Sequence, residues 1–332
     1  MRNFVSFSEW TQAELLKLIE QAQALKAGKA PEAIVGKQLA LLFFNQSLRT
    51  RVSFESAMFR GGGKAFVLSP GNDTWGFEVE KNVIMSADKA EHIQEAAAVL
   101  SRYVDAIGVR SFAKMDSLEE DSKDEIIRAF AEYADVPLIN LESAMEHPCQ
   151  ALADMLTLKE NVPNYQGKEF VLTWTPHVKP LPLAVPHSAL LAASMMGMNV
   201  TLASPEGYGI EPKMEAYVRR TCEAAGGSFQ KTQEQSDACG QADVVYAKSW
   251  GAPALYGNLE EQISQFETLR DWCVRKEHLR QEAIFLHCLP VRRNVVVSDE
   301  VLDGSQSRVI GQAENRLWAQ MAILEKVFEE GK

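Results

Sequence analysis

The sequence predicts an α/β protein of two doubly wound, mostly parallel sheets, and three observations carry that prediction. The chain has 332 residues, long for one core and natural for two domains of roughly 100 to 200 residues each. Short continuous apolar runs, as expected of strands buried on both faces, alternate with longer stretches of helical periodicity. The runs form two sets, divided by one helical pattern at 148–160, so a sheet of βαβ units is expected on either side of it.

In order, an amphipathic helix opens the chain and 38–44 (QLALLFF) follows as the first strand. Runs at 65–68, 106–109 and 137–141 complete the first set, with helices over 92–104 and 124–134 between them. The second set is 170–175, 199–204, 243–247, 284–289 and 308–311. The closing segment 314–328 is amphipathic and is expected to pack back on the first domain. The expected domains are therefore 1–146, completed by a C-terminal helix 314–332, and 147–313. Open parallel sheets bind ligands beyond the carboxyl ends of their strands, so chemistry is sought just after each run.

Composition narrows the function. Hydrophobic residues make up 46% and charged residues 24% of the chain, the balance of an ordinary globular protein. A net charge of -11 disfavours nucleic acid and anionic membranes as partners, and cations for an anionic ligand must then be concentrated locally. No apolar run reaches the roughly 18 residues of a membrane span, and the first 20 residues lack a signal-like apolar core, so cytoplasm is expected. Cys149, Cys222, Cys239, Cys273 and Cys288 form no CxxC pair, which argues against zinc and against a disulfide framework. Neither G-x-G-x-x-G nor G-x-x-x-x-G-K-[ST] occurs, so neither a dinucleotide cofactor nor a P-loop is expected. Gly61-Gly62-Gly63 follows a helix and reads as a cap and turn.

Directly after the first strand comes Asn45-Gln46-Ser47-Leu48-Arg49-Thr50-Arg51, opening a helix at 52–59. Backbone N–H groups, two hydroxyls and guanidinium groups at a helix N-terminus make a phosphate site. The plainer alternative is that Ser47 only caps the helix while the arginines are solvated.

Read with His147-Pro148-Cys149-Gln150 and His287-Cys288-Leu289-Pro290, the segment Ser47-Leu48-Arg49-Thr50-Arg51 resembles the transcarbamylase family over nearly the whole chain. The H-C-L-P form is that of ornithine-type members. Where plain ornithine members carry Ser-Met-Gly, this chain reads Val245-Tyr246-Ala247-Lys248-Ser249-Trp250-Gly251. With Thr173-Trp174-Thr175-Pro176-His177 and the proline-rich stretch 180–186, it looks like the subgroup acting on N-acylated ornithine. That resemblance implies a trefoil-knotted second domain, an exception to the usual avoidance of threaded loops. It also implies a homotrimer with shared active sites, Trp75 serving a neighbouring subunit.

The resemblance assigns roles as follows. Ser47, Leu48, Arg49, the Thr50 backbone and Trp75 would hold phosphate, with Arg316 reaching the same anion. Thr50, Arg110, His147 and Gln150, the last two flanking Pro148 and Cys149, would address the carbamoyl group. Cys288 and Leu289 would offer backbone carbonyls to the attacking amine. Glu142 would grip the ornithine amide or amine, and Lys248 the acylated amino acid. Each has a plainer alternative: a solvated strand-end Arg110, a solvated loop carboxylate at Glu142, a satisfied helix-start imidazole at His147, a small core residue at Cys288. A non-catalytic relative that binds carbamoyl phosphate is the rival function.

For the acyl group, acetyl-type members tend to carry glutamate in the segment matching Asp88-Lys89-Ala90-Glu91-His92, where this chain has Ala90. They can also carry a carboxylated lysine nine residues past the H-C-L-P histidine, here Val296. His177, Lys179 and Arg292 are candidate cationic partners for a distal carboxylate. N-succinylornithine is the expected acceptor and N-acetylornithine the alternative.

Overall fold

The computed structural model describes residues 2–330; Met1, Gly331 and Lys332, which the expected first domain and its closing helix include, lie outside the described residues. The chain divides into two compact units. One comprises the residues up to Ala113, Glu119–Cys149 and those from Arg316 on; the other comprises Lys114–Leu118 and Gln150–Asn315. The changeovers thus fall at 149/150 and 315/316, beside the 146/147 and 313/314 expected from sequence.

In the first unit the chain runs α1 (Gln12–Lys26), β1 (Gln38–Phe43), α2 (Leu48–Arg60), β2 (Lys64–Leu68), the short pair β3 (Phe77–Glu78) and β4 (Glu91–His92), and α3 (Ile93–Tyr103). There follow β5 (Ala106–Arg110), α4 (Leu118–Asp121), whose first residue belongs to the other unit, α5 (Glu125–Tyr133) and β6 (Leu138–Glu142). The four main strands make a parallel sheet in the order β2-β1-β5-β6. Strand β1 is apolar throughout after Gln38 because both faces are covered. Ala40 and Leu42 of β1 and Ile107 and Val109 of β5 pack with Ile93 and Ala97 of α3 and Ile127 and Phe130 of α5. Each large apolar side chain so buried contributes about 1.5–3 kcal/mol. Gly108 is needed in β5, since a Cβ there would meet Leu141 at 2.9 Å and Leu41 at 3.0 Å.

Register places the strand ends. Phe43 lies level with Arg110, while the β5–β6 ladder slips after Val109, which faces Asn140, so that Arg110 faces Glu142 and Leu141 is skipped. A bulge of this kind re-aims a side chain, and here it sets an arginine opposite a carboxylate at the sheet's carboxyl edge.

In the second unit, α6 (Pro148–Asn161) enters at Gln150 and leads to β7 (Glu169–Trp174), α7 (Ala184–Met195), β8 (Asn199–Ala203), α8 (Pro212–Ala225), β9 (Ser228–Thr232), α9 (Gln235–Gln241) and β10 (Val244–Lys248). Then come α10 (Leu259–Ser264), β11 (Ile284–Leu286), α11 (Asp299–Leu302) and α12 (Val309–Glu330), the last passing into the first unit at Arg316. The sheet is parallel, ordered β11-β10-β7-β8-β9. Helix α7 is buried along its whole length, as its continuous small and apolar sequence requires.

Three expectations are corrected. Residues 308–311 are not a strand: Ser307 makes an isolated bridge to Phe285 and the chain turns helical at Val309. The expected strand 284–289 stops at Leu286, because His287 to Pro290 form a tight turn. Helix α2 begins at Leu48 rather than at 52, since Ser47 caps it through the Thr50 N–H. Among the described residues no helix is long and apolar enough to cross a membrane.

Candidate functional site

In the first unit the carboxyl edge of the sheet gathers the predicted anion site. The turn after β1 is tied down by the Phe112 N–H, which donates to Asn45 Oδ1 at 2.7 Å. Ser47 then accepts from the Thr50 N–H at 3.2 Å, which leaves the hydroxyl hydrogen and the other first-turn amides of α2 to face an anion. Capping and binding are therefore compatible roles. Thr50 is fully buried, and its Oγ1 accepts from Arg110 Nη1 at 3.3 Å and from Arg316 Nη2. With two guanidiniums on its oxygen, the hydroxyl can only donate outward. Arg110 also makes a direct ion pair with Glu142, and His147 Nε2 lies 3.4 Å from the same carboxylate.

The cluster carries a surplus of positive charge. Arg316 is 3% exposed; burial pulls its pKa down, Glu142 opposes this, and Arg110 and Arg49 push it down further. Two guanidiniums and one carboxylate thus act on a third guanidinium in a dry site. Such burial is unfavourable unless an anion completes it. His147 is held well below the usual histidine range, first by burial and then by Arg316 and Arg110, so it is a neutral imidazole at physiological pH. The Cys149 thiol donates to the Asn140 carbonyl at 3.3 Å and is pushed up to about 12 by burial; its side chain serves β6.

The turn between Glu142 and His147 is held by two enclosed carboxyls. Asp124 Oδ2 accepts from the Ser143 hydroxyl at 2.7 Å and Oδ1 from the Ala144 N–H at 2.9 Å, while Glu146 accepts from the Ser6 hydroxyl and from the Phe7 N–H at 3.1 Å. Burial raises Asp124 to about 6 and Glu146 to about 7. A carboxyl raised on folding contributes stability that is complete below its unfolded pKa and is lost as pH rises through the folded value. Histidines lowered on folding act in the opposite sense, but only up to about pH 6.5. Between pH 6.5 and 8 the Glu146 contribution should therefore make the protein less stable as pH rises, and Glu146→Gln should flatten that slope. Equal slopes for parent and variant in thermal melts across this range would refute the assignment.

In the second unit the ends of β7 and β10 lie side by side, Trp174 level with Lys248. Buried Lys248 donates to the Ser249 carbonyl at 2.8 Å, and the Ser249 and Thr175 hydroxyls are 3.1 Å apart. Arg292 Nε donates to His177 Nε2 at 3.0 Å, so the ring hydrogen sits on Nδ1, 2.8 Å from the Lys179 carbonyl. Burial first, and Lys248, Arg292 and Lys179 together, bring His177 down to about 4. The expectation of a cationic His177 is corrected: the ring is neutral and orients Arg292, and the cations are Lys179, Lys248 and Arg292. Val296 is 2% exposed in the core with Val245, Ala247 and Phe285, so this position has no room for a charged side chain.

The H-C-L-P segment forms a turn in which His287 Nδ1 accepts from the Leu289 N–H at 2.8 Å. Leu289 has a φ of 56°, a left-handed conformation costing about 1–2 kcal/mol in an L-residue, and such strain gathers at functional sites. Cys288 beside it is buried.

The structure brings together Ser47, Arg49, Thr50, Arg110, Glu142, His147 and Arg316 in the first unit, and His177, Lys179, Lys248 and Arg292 in the second. Glu142 is thus a buried partner of Arg110 rather than a solvated loop carboxylate, and it belongs to the first group. Ala90 lines a cavity of about 560 Å³ with Lys81, Glu91, His92, Glu95 and Tyr133. Leu48 is 73% and Trp75 67% exposed. Sequence reading missed Asp154 and Gln312, which hydrogen-bond each other at 2.7 Å. Their signal was the spacing of Gln150 and Asp154, polar residues one helical turn apart in an otherwise apolar stretch.

Residues 2–160 match the model of the aspartate/ornithine carbamoyltransferase carbamoyl-P binding domain, and 184–327 that of the Asp/Orn binding domain. The chain is 44% identical over 329 residues to the N-acetylornithine carbamoyltransferase of Xanthomonas campestris pv. campestris, covering 98% of this chain and 97% of that protein. It is 38% identical over 295 residues to the N-succinylornithine carbamoyltransferase of Bacteroides fragilis, covering 88% of each. Among solved structures it resembles an N-acetyl-L-ornithine transcarbamylase in which one glutamate is replaced by alanine, complexed with carbamyl phosphate and N-succinyl-L-norvaline. The TM-score is 0.96 at 43% identity, covering 98% of this chain and 100% of that one.

Proposed function

Because this chain belongs to the aspartate/ornithine carbamoyltransferase family, we propose that it transfers the carbamoyl group of carbamoyl phosphate to the δ-amine of an N-acylated ornithine in arginine biosynthesis. N-succinyl-L-ornithine is the preferred acceptor in this reading, giving N-succinyl-L-citrulline and phosphate in the cytoplasm. The observation that carries the transfer is the excess of buried guanidinium around Thr50, which a doubly charged acyl phosphate would neutralise.

In the reaction the neutral amine attacks the carbamoyl carbon and a new N–C bond forms. The C–O bond to phosphate then breaks, and the departing phosphate takes its electron pair and the proton the amine must shed. Ser47, the first-turn amides of α2, Arg49 and Arg316 would hold the phosphate. The outward Thr50 hydroxyl, Arg110 and neutral His147 would donate to the carbonyl oxygen as charge builds there. Donors aimed at a developing oxyanion are each worth roughly 3 to 4 kcal/mol in a dry site. Gln150 would address the carbamoyl amide, and the Cys288 and Leu289 carbonyls the amine. Lys248, Lys179 and Arg292 would meet the carboxylates of the acylated amino acid, with Glu142 gripping its amide or amine. A homotrimer in which Trp75 serves a neighbouring copy is supported by the exposure of Trp75 and of the Leu48, Val52 and Phe59 stripe on α2.

Overall identity favours the acetyl-type relative and keeps N-acetylornithine as the second reading. The acyl preference nevertheless depends on few residues, and Ala90 stands in the segment where acetyl-type members carry glutamate. Assaying free, acetylated and succinylated ornithine side by side for citrulline product tests the reading; absence of product with all three would remove the enzyme function. Ala90→Glu should move the preference toward acetyl. A carboxylate 4 Å from the succinyl carboxylate costs about 1 kcal/mol in water and about 4 at an effective dielectric near 20, or about fivefold to a thousandfold. Since Ala90 is exposed in the single chain, the lower end is the secure expectation. An unchanged ratio would place the acyl pocket elsewhere.

A further inference from the structure

Asp154 belongs to none of the three motifs, yet it is 2% exposed and joins two of them. Its Oδ1 accepts from the Gln150 side-chain amide at 2.8 Å, one turn back along α6, and from the Gln312 side-chain amide at 2.7 Å. Gln312, in the first turn of α12, in turn accepts from the His287 N–H through Oε1 at 2.9 Å. One carboxylate oxygen thereby links the glutamine of H-P-C-Q to the backbone of the H-C-L-P turn. An oxygen that takes both contacts is an acceptor, so both glutamines present their NH₂ to it and turn their oxygens away. The Gln312 oxygen is used by His287. The Gln150 oxygen is buried and has no partner among the described residues. Leaving such an acceptor unmet costs about 1–3 kcal/mol, which suits a group reserved for a ligand N–H.

We propose that Asp154 is a positioning residue: it fixes the amide of Gln150 so that the oxygen, and not the nitrogen, faces the carbamoyl N–H, and through Gln312 it sets the His287–Leu289 turn. This rests on the carbamoyl-transfer reading and deepens it. Both glutamine amides meet the same oxygen, so an asparagine that keeps its Oδ1 in place preserves both bonds, whereas a leucine of similar size accepts from neither. With leucine at 154 the Gln150 amide loses the bond that orients it, and the Gln312–His287 link loses its anchor.

The experiment compares the full-length parent with Asp154→Asn and Asp154→Leu, measuring kcat and both KM values with carbamoyl phosphate and the best acylornithine, together with melting temperature. Asp154→Leu should lower kcat by about a hundredfold while the acylornithine KM stays within about threefold. Asp154→Asn, which keeps the oxygen that orients both amides, should recover at least about tenfold of that loss. An Asp154→Leu variant with parental kcat overturns the proposal, as does an Asp154→Asn variant no more active than Asp154→Leu. If Asp154→Leu yields no folded protein, a folded but inactive Asp154→Asn variant overturns it equally. A parent inactive with every acylornithine would instead refute the carbamoyl-transfer reading, and the proposal with it.

Discussion

Replacing Arg316 with methionine should cut turnover by about three orders of magnitude and yet leave the ligand-free protein at least as stable as the parent. The two effects share one cause. Arg316 is buried beside Arg110 and Arg49, and its hydrogen bond goes to the neutral Thr50 hydroxyl. Exchanging a poorly compensated buried charge for an apolar side chain of similar length is often neutral, or stabilising by about 1–4 kcal/mol. Bound carbamoyl phosphate reverses the balance, since the guanidinium then completes a charge-assisted contact worth about 4 kcal/mol in the transition state, or about a thousandfold in rate. Urea titrations with and without carbamoyl phosphate, alongside citrulline assays, check both halves. The parent should gain stability from the ligand by mass action and the variant should gain little. A variant that is strongly destabilised without ligand, or that keeps parental turnover, would show that the surplus charge is structural.

That site was partly legible in the sequence. Ser47 and Thr50 are legible in the turn that follows the first strand, Arg110 and His147 only through the resemblance to the transcarbamylase family, and the structure brings the four together. What spacing did not reveal was who pairs with whom. Arg110 faces Glu142 because the β5–β6 ladder skips Leu141, a slip of one residue that no local pattern announces. His177 is a candidate cation in the sequence by its side-chain type. Burial, together with its basic neighbours, is what keeps it neutral.

The fold shows the same division. The QLALLF run of β1 was found because a strand covered on both faces must be apolar, whereas β9, SFQKT, was missed because it is an edge strand burying Phe229 alone. The first residues of α12 were read as a strand because Arg308, Val309 and Ile310 suit either state, and only packing of the extended 306–308 stretch against Phe285 decides where the helix begins. Asp154 and Gln312 lie far apart in sequence, and a buried polar network across such a separation becomes visible only when the helices are placed.

Arg110→Met makes the converse case. The arginine lost here is the partner of Glu142, a carboxylate 9% exposed, so this variant should lose about 3–5 kcal/mol of stability at pH 7 as well as about a hundred- to a thousandfold in turnover. The deficit comes from Glu142, which stays enclosed and loses its ion-pair partner. Adding Glu142→Gln to Arg110→Met should close most of that deficit, because a neutral amide is cheaper to bury than an unpaired carboxylate, while turnover stays low for want of the guanidinium. Urea titrations at pH 7 on the single and double variants measure this, and a deficit that Glu142→Gln leaves in place would mean that it does not come from the unpaired carboxylate. The Arg110 and Arg316 variants should thus move stability in opposite directions while moving turnover in the same one, as expected if one guanidinium is matched within the protein and the other is matched by the substrate.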